Sequence, residues 1–162
     1  MAIVGFDSHD AVASDPTKPS SFAIGPYNLD MPLKDIKGLK EISSDEYDIF
    51  QKKFEREKIY KAPSINFLAL TWDIMLGVVE GRIYKISSGY TTKDKNQANE
   101  AAMKALTYCK SKLGEPSEQQ TGLFIWNTKD GNVILQTAAT SEGFAVFLFS
   151  TSRRVKEFGR IK

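Results

Sequence analysis

The most informative stretch of the chain is residues 93–150, which read KDKNQANEAAMKALTYCKSKLGEPSEQQTGLFIWNTKDGNVILQTAATSEGFAVFLFS. In the first part of this stretch, small and apolar residues recur with the spacing of one face of an α-helix. They are Ala98, Ala102, Ala105, Leu106, Cys109 and Leu113. Asp94 followed by Gln97 predicts a capping box at the start of this helix, and Gly114 with Pro116 predicts its end.

Three strands are predicted after this helix. Residues 123–126 are aromatic and β-branched, residues 133–137 return after a turn at Gly131, and residues 144–149 form the third strand. Residues 144–149 are apolar at nearly every position, so both faces of this strand are expected to be covered, as in the centre of a sheet. We also predict that Trp126 is buried against the helix.

The chain before residue 93 carries a weaker pattern. The helix that it predicts at 45–58 rests on Tyr47, Phe50 and Phe54, which recur at helical spacing. Glycine in the segment 79–82 predicts a hairpin turn. The predicted elements are a short strand at 22–24, a short helix at 32–38, a helix at 45–58, a strand at 65–76 and a returning strand at 83–86.

Together these elements predict an α+β fold, in which an antiparallel sheet of five or six strands carries helices packed on one face. A single domain is expected at residues 22–152, after a flexible polar lead at 1–21 and before a basic tail at 153–162. Each half of the chain places a helical region before antiparallel strands, and each has an aromatic strand before a glycine turn. This echo suggests the hypothesis of two related halves.

The composition is that of an ordinary globular domain. The 162 residues are 41% hydrophobic and 26% charged, and the net charge of +2 is too small to indicate a nucleic-acid partner. The sequence has no apolar run long enough to span a membrane, and residues 1–21 lack the regions typical of a signal peptide. A cytoplasmic location is therefore predicted, with an exported mature form left open.

No motif in the sequence is typical of catalysis or of cofactor binding. The one histidine, His9, lies in the polar lead, away from the predicted core. One histidine and one cysteine, Cys109, are too few for a usual zinc site, and no glycine-rich phosphate loop is present. We therefore predict that the chain is not an enzyme and holds no metal and no cofactor.

The first hypothesis on function is a binding or interaction protein that acts through a protein partner, such as an accessory, inhibitor or immunity-type factor. A well-patterned core without placed catalytic residues favours it. The basic residues Arg153, Arg154 and Lys156 are the candidates for contact with an acidic partner.

Two further hypotheses are a ligand carrier and an enzyme. One is a small-ligand carrier with an apolar pocket between helix and sheet. Its candidate pocket residues are Trp72, Tyr84, Phe124 and Trp126. The other is an enzyme that uses only carboxylates and lysine. Asp73 is of interest for it, because it lies inside an apolar strand and, if covered, needs Arg82 or Lys85 as a partner.

Overall fold

A computed structural model of the chain describes residues 22–42 and 57–153. These residues form ten strands, a 3-10 turn at Leu33–Asp35 and one α-helix. In chain order the strands and the helix are β1 (Ala23–Ile24), β2 (Tyr27–Asn28), β3 (Lys40–Ile42), β4 (Lys58–Phe67), β5 (Leu70–Val79), β6 (Arg82–Thr92), α1 (Lys95–Leu113), β7 (Glu118–Gln120), β8 (Leu123–Asn127), β9 (Gly131–Thr140) and β10 (Gly143–Ser152).

Strands β3 to β10 form an eight-stranded antiparallel sheet in the order β3-β4-β5-β6-β10-β9-β8-β7. Each half of this sheet is a four-stranded meander, and the halves meet where β6 pairs with β10. Helix α1 carries the chain from β6 to the far edge at β7. The prediction that residues 144–149 lie in a central strand is confirmed, because β10 is paired on both sides. The relatedness of the two halves stays a hypothesis.

One face of the sheet, called the first face, carries the main core. Helix α1 and the separate β1–β2 hairpin both pack on it. The helix residues that are buried here are small, which lets α1 approach the sheet closely: Ala98, Ala101, Ala105 and Cys109. The fully buried sheet residues in this core include Trp72, Ile74, Leu76, Ile83, Val146 and Leu148.

Both ends of α1 form where the sequence predicts them, but the Gln97 side chain has a different hydrogen-bond partner. Asp94 Oδ1 accepts hydrogen bonds from the backbone N–H groups of Asn96 at 2.8 Å and Gln97 at 3.3 Å. Gln97 Oε1, however, accepts from the Thr92 hydroxyl at 2.9 Å, and Thr92 Oγ1 accepts from the Asp94 N–H at 3.1 Å. Gly114 ends the helix with a φ of 81°, a conformation that glycine adopts without strain.

The opposite face of the sheet, called the second face, carries a smaller apolar cluster and an aromatic pair. Ile42 and Ile59 are buried there with Met75 against them. Phe147 and Phe149 are half-buried, and their rings stack with centroids 5.7 Å apart. Strand β10 is therefore apolar on both faces, as its sequence indicates.

The predicted fold class is wrong in the number of strands and in the helices. The sheet has eight strands instead of five or six, and in the part of the chain that is described α1 is the one α-helix. Residues 65–76, predicted as one strand, contain the end of β4, a turn at Leu68–Ala69 and the beginning of β5. Leucine and alanine give no turn signal, so the alternating pattern continues through the turn without a break.

The predicted short helix at 32–38 is only the 3-10 turn, which has no buried residue. The helix predicted at 45–58 falls mostly on residues 43–56, outside the described residues, and Lys58 begins β4 instead. Pro63 lies within β4, at an irregularity in the β4–β5 pairing, where its missing N–H is tolerated.

The domain boundaries predicted at the two ends of the chain are not described by the structure. The polar lead at 1–21 and residues 154–162 of the basic tail lie outside the described residues. Arg153 is the one tail residue that is described, and it directly follows β10.

Candidate functional site

The turn between β4 and β5 is built from residues that rarely form such turns. Leu68 and Ala69 have φ values of 55° and 59°, so both lie in the left-handed region. A two-residue hairpin with positive φ at both positions usually contains asparagine or glycine, and a bulky leucine there is uncommon. The flanking pair Phe67–Leu70 and the long β4–β5 ladder hold the turn in place. Leu68 is thereby presented at one end of the sheet.

An apolar groove lies between this turn and the outer side of α1. Its volume is about 420 Å³, and it is open to solvent. The helix residues of the groove are spaced three and four apart, so they share one face of α1. The groove is lined by Leu68, Ala69, Glu100, Met103, Lys104, Thr107 and Tyr108.

Met103 projects from α1 into solvent at this groove. It is 60% exposed, and among residues 22–42 and 57–153 no other large apolar side chain is classed as exposed. Methionine is flexible and polarisable, and it is common on surfaces that adapt to a bound partner. The exposed Met103 therefore marks the groove as a candidate binding surface.

Tyr108 forms a fixed wall between the groove and the first-face core. Its hydroxyl donates a hydrogen bond to the Ala23 carbonyl at 2.5 Å. Its ring meets Phe67 edge-on, with centroids 5.0 Å apart, and lies 5.7 Å from the ring of Phe22. Burial raises the pKa of the Tyr108 phenol, so the hydroxyl remains a donor. The Tyr108 part of the helix wall is thus held in place, while the Met103 side chain in the same wall can adapt.

The polar rim of the groove is basic at one end. Lys104 Nζ lies 3.5 Å from Glu100 Oε1 in an exposed pair, which contributes little to stability. Lys112 Nζ lies 5.9 Å from the centroid of the Tyr108 ring. Helix α1 carries four lysines and one acidic residue, and one of these lysines, Lys110, pairs with Glu115 at 3.4 Å, so a smaller excess of positive charge remains along the helix.

The residues predicted to line a ligand pocket do not come together around one space. Trp72 and Trp126 are buried in the first-face core, and their indole N–H groups donate to the carbonyls of Phe67 at 2.8 Å and Gly114 at 2.9 Å. Phe124 is half-buried and stacks on Trp126, with centroids 6.3 Å apart. The prediction that Trp126 is buried is confirmed, since it is 2% exposed.

Tyr84, the fourth predicted pocket residue, lies on the second face beside a buried ion pair. Lys85 Nζ is 3.1 Å from Glu57 Oε2, and the two side chains are 8% and 0% exposed. Burial, and then the neighbouring Glu57 carboxylate, raise the pKa of Tyr84. Lys85 Nζ also lies 5.3 Å from the centroid of the Tyr84 ring. Sequence patterns did not indicate this cluster, because its members are distant along the chain.

Two backbone features make room for the ion pair. Tyr84 is the inserted residue of a β-bulge in the pairing of β5 with β6. Ile83 and Ile86, which flank Tyr84 and Lys85 in the sequence, belong to the first-face core. Tyr84 and Lys85 therefore both lie on the second face. At Gly77 a Cβ atom would lie 2.7 Å from Lys85 Cγ and 2.9 Å from Glu57 Oε2, so a side chain there would displace the pair.

Asp73 does not take the partners that the sequence suggests. It is exposed, and its Oδ1 accepts a hydrogen bond from the Ser64 hydroxyl at 2.9 Å. Arg82 Nε donates to the Asp30 carbonyl at 3.2 Å, and Lys85 belongs to the buried ion pair. Asp73 thus lies on the surface, apart from both basic residues.

Arg153 lies at the opposite end of the sheet from the groove. Its Nη2 is 3.5 Å from Asn132 Oδ1, and its side chain is exposed. Because β5 and β10 both run antiparallel to β6, the turn at Leu68–Ala69 lies at the end where β10 begins. Arg153 follows the other end of β10. Arg154 and Lys156 fall outside the described residues.

Cys109 is fully buried on α1, and burial raises the pKa of its thiol from 9.0 to about 12. Within the described ranges, no three histidine, cysteine, aspartate or glutamate side chains are grouped so that they could hold a metal ion. No helix in that part of the chain is long and apolar enough to cross a membrane.

Comparison of the chain with protein-family models, with curated proteins and with solved structures found no match.

Proposed function

We propose that this chain is a non-enzymatic binding protein that acts through a protein partner, as an accessory, inhibitor or immunity-type factor, and that the groove beside α1 is its docking surface. The observation that supports this most is Met103, an exposed apolar side chain at the rim of an open apolar groove. Exposed apolar patches with polar rims are typical of protein interaction sites. The fixed wall at Tyr108 favours a defined mode of docking.

The shape of the groove favours a protein partner over a small ligand. Small-molecule sites enclose most of the surface of their ligand, whereas this groove is open along the helix. The two tryptophans proposed for a carrier pocket are packed in the core, and both indole N–H groups are bonded to backbone carbonyls. The carrier hypothesis therefore has less support than protein binding.

Site-specific photo-crosslinking at position 103 would test the proposal. A photoreactive amino acid in place of Met103 should capture a partner, which mass spectrometry then identifies. The purified partner is next titrated against the wild-type chain and against Met103→Glu. We expect Met103→Glu to weaken binding at least about tenfold, because it places a charge in an apolar contact. The change in unfolding free energy should stay within about 0.5 kcal/mol, because the side chain is exposed.

The matched control is Gln136→Glu, which adds the same charge at an exposed position of β9. It should leave the affinity for the purified partner unchanged. If Met103→Glu and Gln136→Glu bind the partner equally well, the groove is not the docking surface and the proposal fails.

A partner that spans the length of β10 would also reach Arg153 at the far end of this strand. Exposed arginines form hydrogen bonds with carboxylates and attract acidic proteins. This attraction weakens as the salt concentration increases. Charge reversal at Arg153 and Arg154 should then slow association at low salt and have less effect at high salt. Unchanged association rates at both salt concentrations would restrict the contact to the groove.

A further inference from the structure

We infer that the groove binds an acidic amphipathic segment of the partner, whose apolar side chains enter the groove while its carboxylates meet the lysines of α1. This inference rests on the proposed function and specifies the chemistry of the partner. It combines two independent observations, the apolar lining of the groove and the excess of positive charge along the same helix.

The apolar part of the recognition is set by the walls of the groove. Leu68 and Ala69 form one wall, and Met103 with the ring of Tyr108 forms the other. The helix residues of the groove span more than two turns at spacings of three and four, so the groove runs along α1. An elongated segment with apolar side chains on one face fits this shape better than a single compact group.

The charged part of the recognition is set by lysines. Lys104 lines the groove and Lys112 stands beside Tyr108, at the next turn of the helix. The groove lining contains one carboxylate, that of Glu100, and this carboxylate already pairs with Lys104. A segment with carboxylates beside its apolar side chains would therefore be attracted, and a basic segment would be repelled.

Fluorescence anisotropy with synthetic peptides tests the inference on the intact chain. Three labelled peptides of equal length are compared: an acidic amphipathic peptide, the same peptide with lysine at every glutamate, and the acidic peptide with serine at every apolar position. We expect only the first to bind, and we expect its affinity to fall as sodium chloride is added. Binding by the basic peptide with equal affinity would overturn the inference.

Charge reversal of two lysines on α1 is a second test of the inference. Lys104→Glu with Lys112→Glu should weaken binding of the acidic amphipathic peptide about tenfold or more at low salt, and less at high salt. The control is Lys61→Glu with Lys129→Glu, which changes the net charge equally at exposed positions outside the groove. Equal effects of the two double variants would show attraction to overall charge alone and would overturn the inference.

The two proposals fail in different ways. If Met103→Glu loses the crosslinked partner but the acidic peptide does not bind, protein docking in the groove stands and the acidic chemistry is wrong. If Met103→Glu keeps full affinity for the crosslinked partner, the docking site itself is wrong and the inference falls with it. Equal melting temperatures of the variants and the wild type show that each comparison is made on the folded chain.

Discussion

Trp126 joins helix α1 to the sheet through both packing and a hydrogen bond. It is 2% exposed, and its indole N–H donates to the Gly114 carbonyl at 2.9 Å, just past the end of the helix. We expect Trp126→Ala to lower the free energy of unfolding by roughly 3–5 kcal/mol, because it removes a large aromatic from the core. Urea denaturation measures the change. A loss below about 1 kcal/mol would contradict the packing described for β8.

The buried ion pair on the second face should contribute more to the stability of the fold than an exposed ion pair does. We expect Lys85→Met to cost about 3–5 kcal/mol, because it leaves the Glu57 carboxylate in a buried site without its lysine. The control is Lys58→Met, whose amine lies 3.8 Å from Glu41 with both side chains more than half exposed. That pair should contribute less than about 1 kcal/mol. Equal losses in urea melts of the two variants would show that the Glu57–Lys85 pair is solvated.

The β4–β5 turn has alanine at a position where glycine is easier to accommodate. Ala69 has a φ of 59°, which costs an L-residue about 1–2 kcal/mol. Ala69→Gly removes this cost but adds flexibility to the unfolded chain, so we expect a net gain of about 0.5–1 kcal/mol in unfolding free energy. Thermal and urea denaturation of the variant would measure it.

A second alanine provides the matched control for this turn. Ala139 is exposed within β9, and its backbone is not among those with positive φ. Ala139→Gly should therefore destabilise the protein by about 0.5–1 kcal/mol, because glycine weakens a strand. If both glycine substitutions destabilise to the same extent, the turn at Leu68–Ala69 is not strained.

Burial of ionisable groups in different parts of the fold predicts that the protein loses stability in alkali. The Cys109 thiol has a pKa of about 12 in the folded chain against 9.0 when unfolded, and burial also raises the pKa of Tyr84 and Tyr108. Because these pKa values are raised, the unfolded chain releases protons that the folded chain keeps. The stabilisation is thus complete below about pH 9 and is lost as the pH rises toward about 12.

Urea denaturation at several pH values from about 8 to about 11 checks this slope. Cys109→Ala removes one of the groups, so the variant should lose less stability than the wild type over the same pH range. Parallel pH profiles of the two proteins would contradict the assignment of the buried thiol to this effect.

The sequence is informative about α1 because a helix is formed by residues that are close along the chain. Asp94 and Gly114 are capping residues whose chemistry acts within one turn, and the structure has both caps where they are predicted. The spacing of Ala98, Ala105 and Cys109 likewise identifies the buried side of the helix. The partner of Gln97 differs from the prediction because Thr92, at the end of β6, competes for its side chain.

The sequence is less informative where distant strands impose the local conformation. Leu68 and Ala69 form a tight turn only because β4 and β5 pair along their length, and that pairing outweighs the local preference of the two residues. The groove depends on this turn, and so its position beside Met103 is not evident from the sequence. The predicted number of strands is too low for the same reason.

The sequence alone predicts the helix α1 with its buried face and both its ends, the central position of β10 and the burial of Trp126. Each of these follows from the period of apolar residues or from capping within a few positions. The number of strands, the Glu57–Lys85 pair and the groove between Leu68 and Met103 are evident only in the folded chain. These features bring together residues that are distant along the chain, and strand pairing between such residues leaves little trace in local sequence patterns.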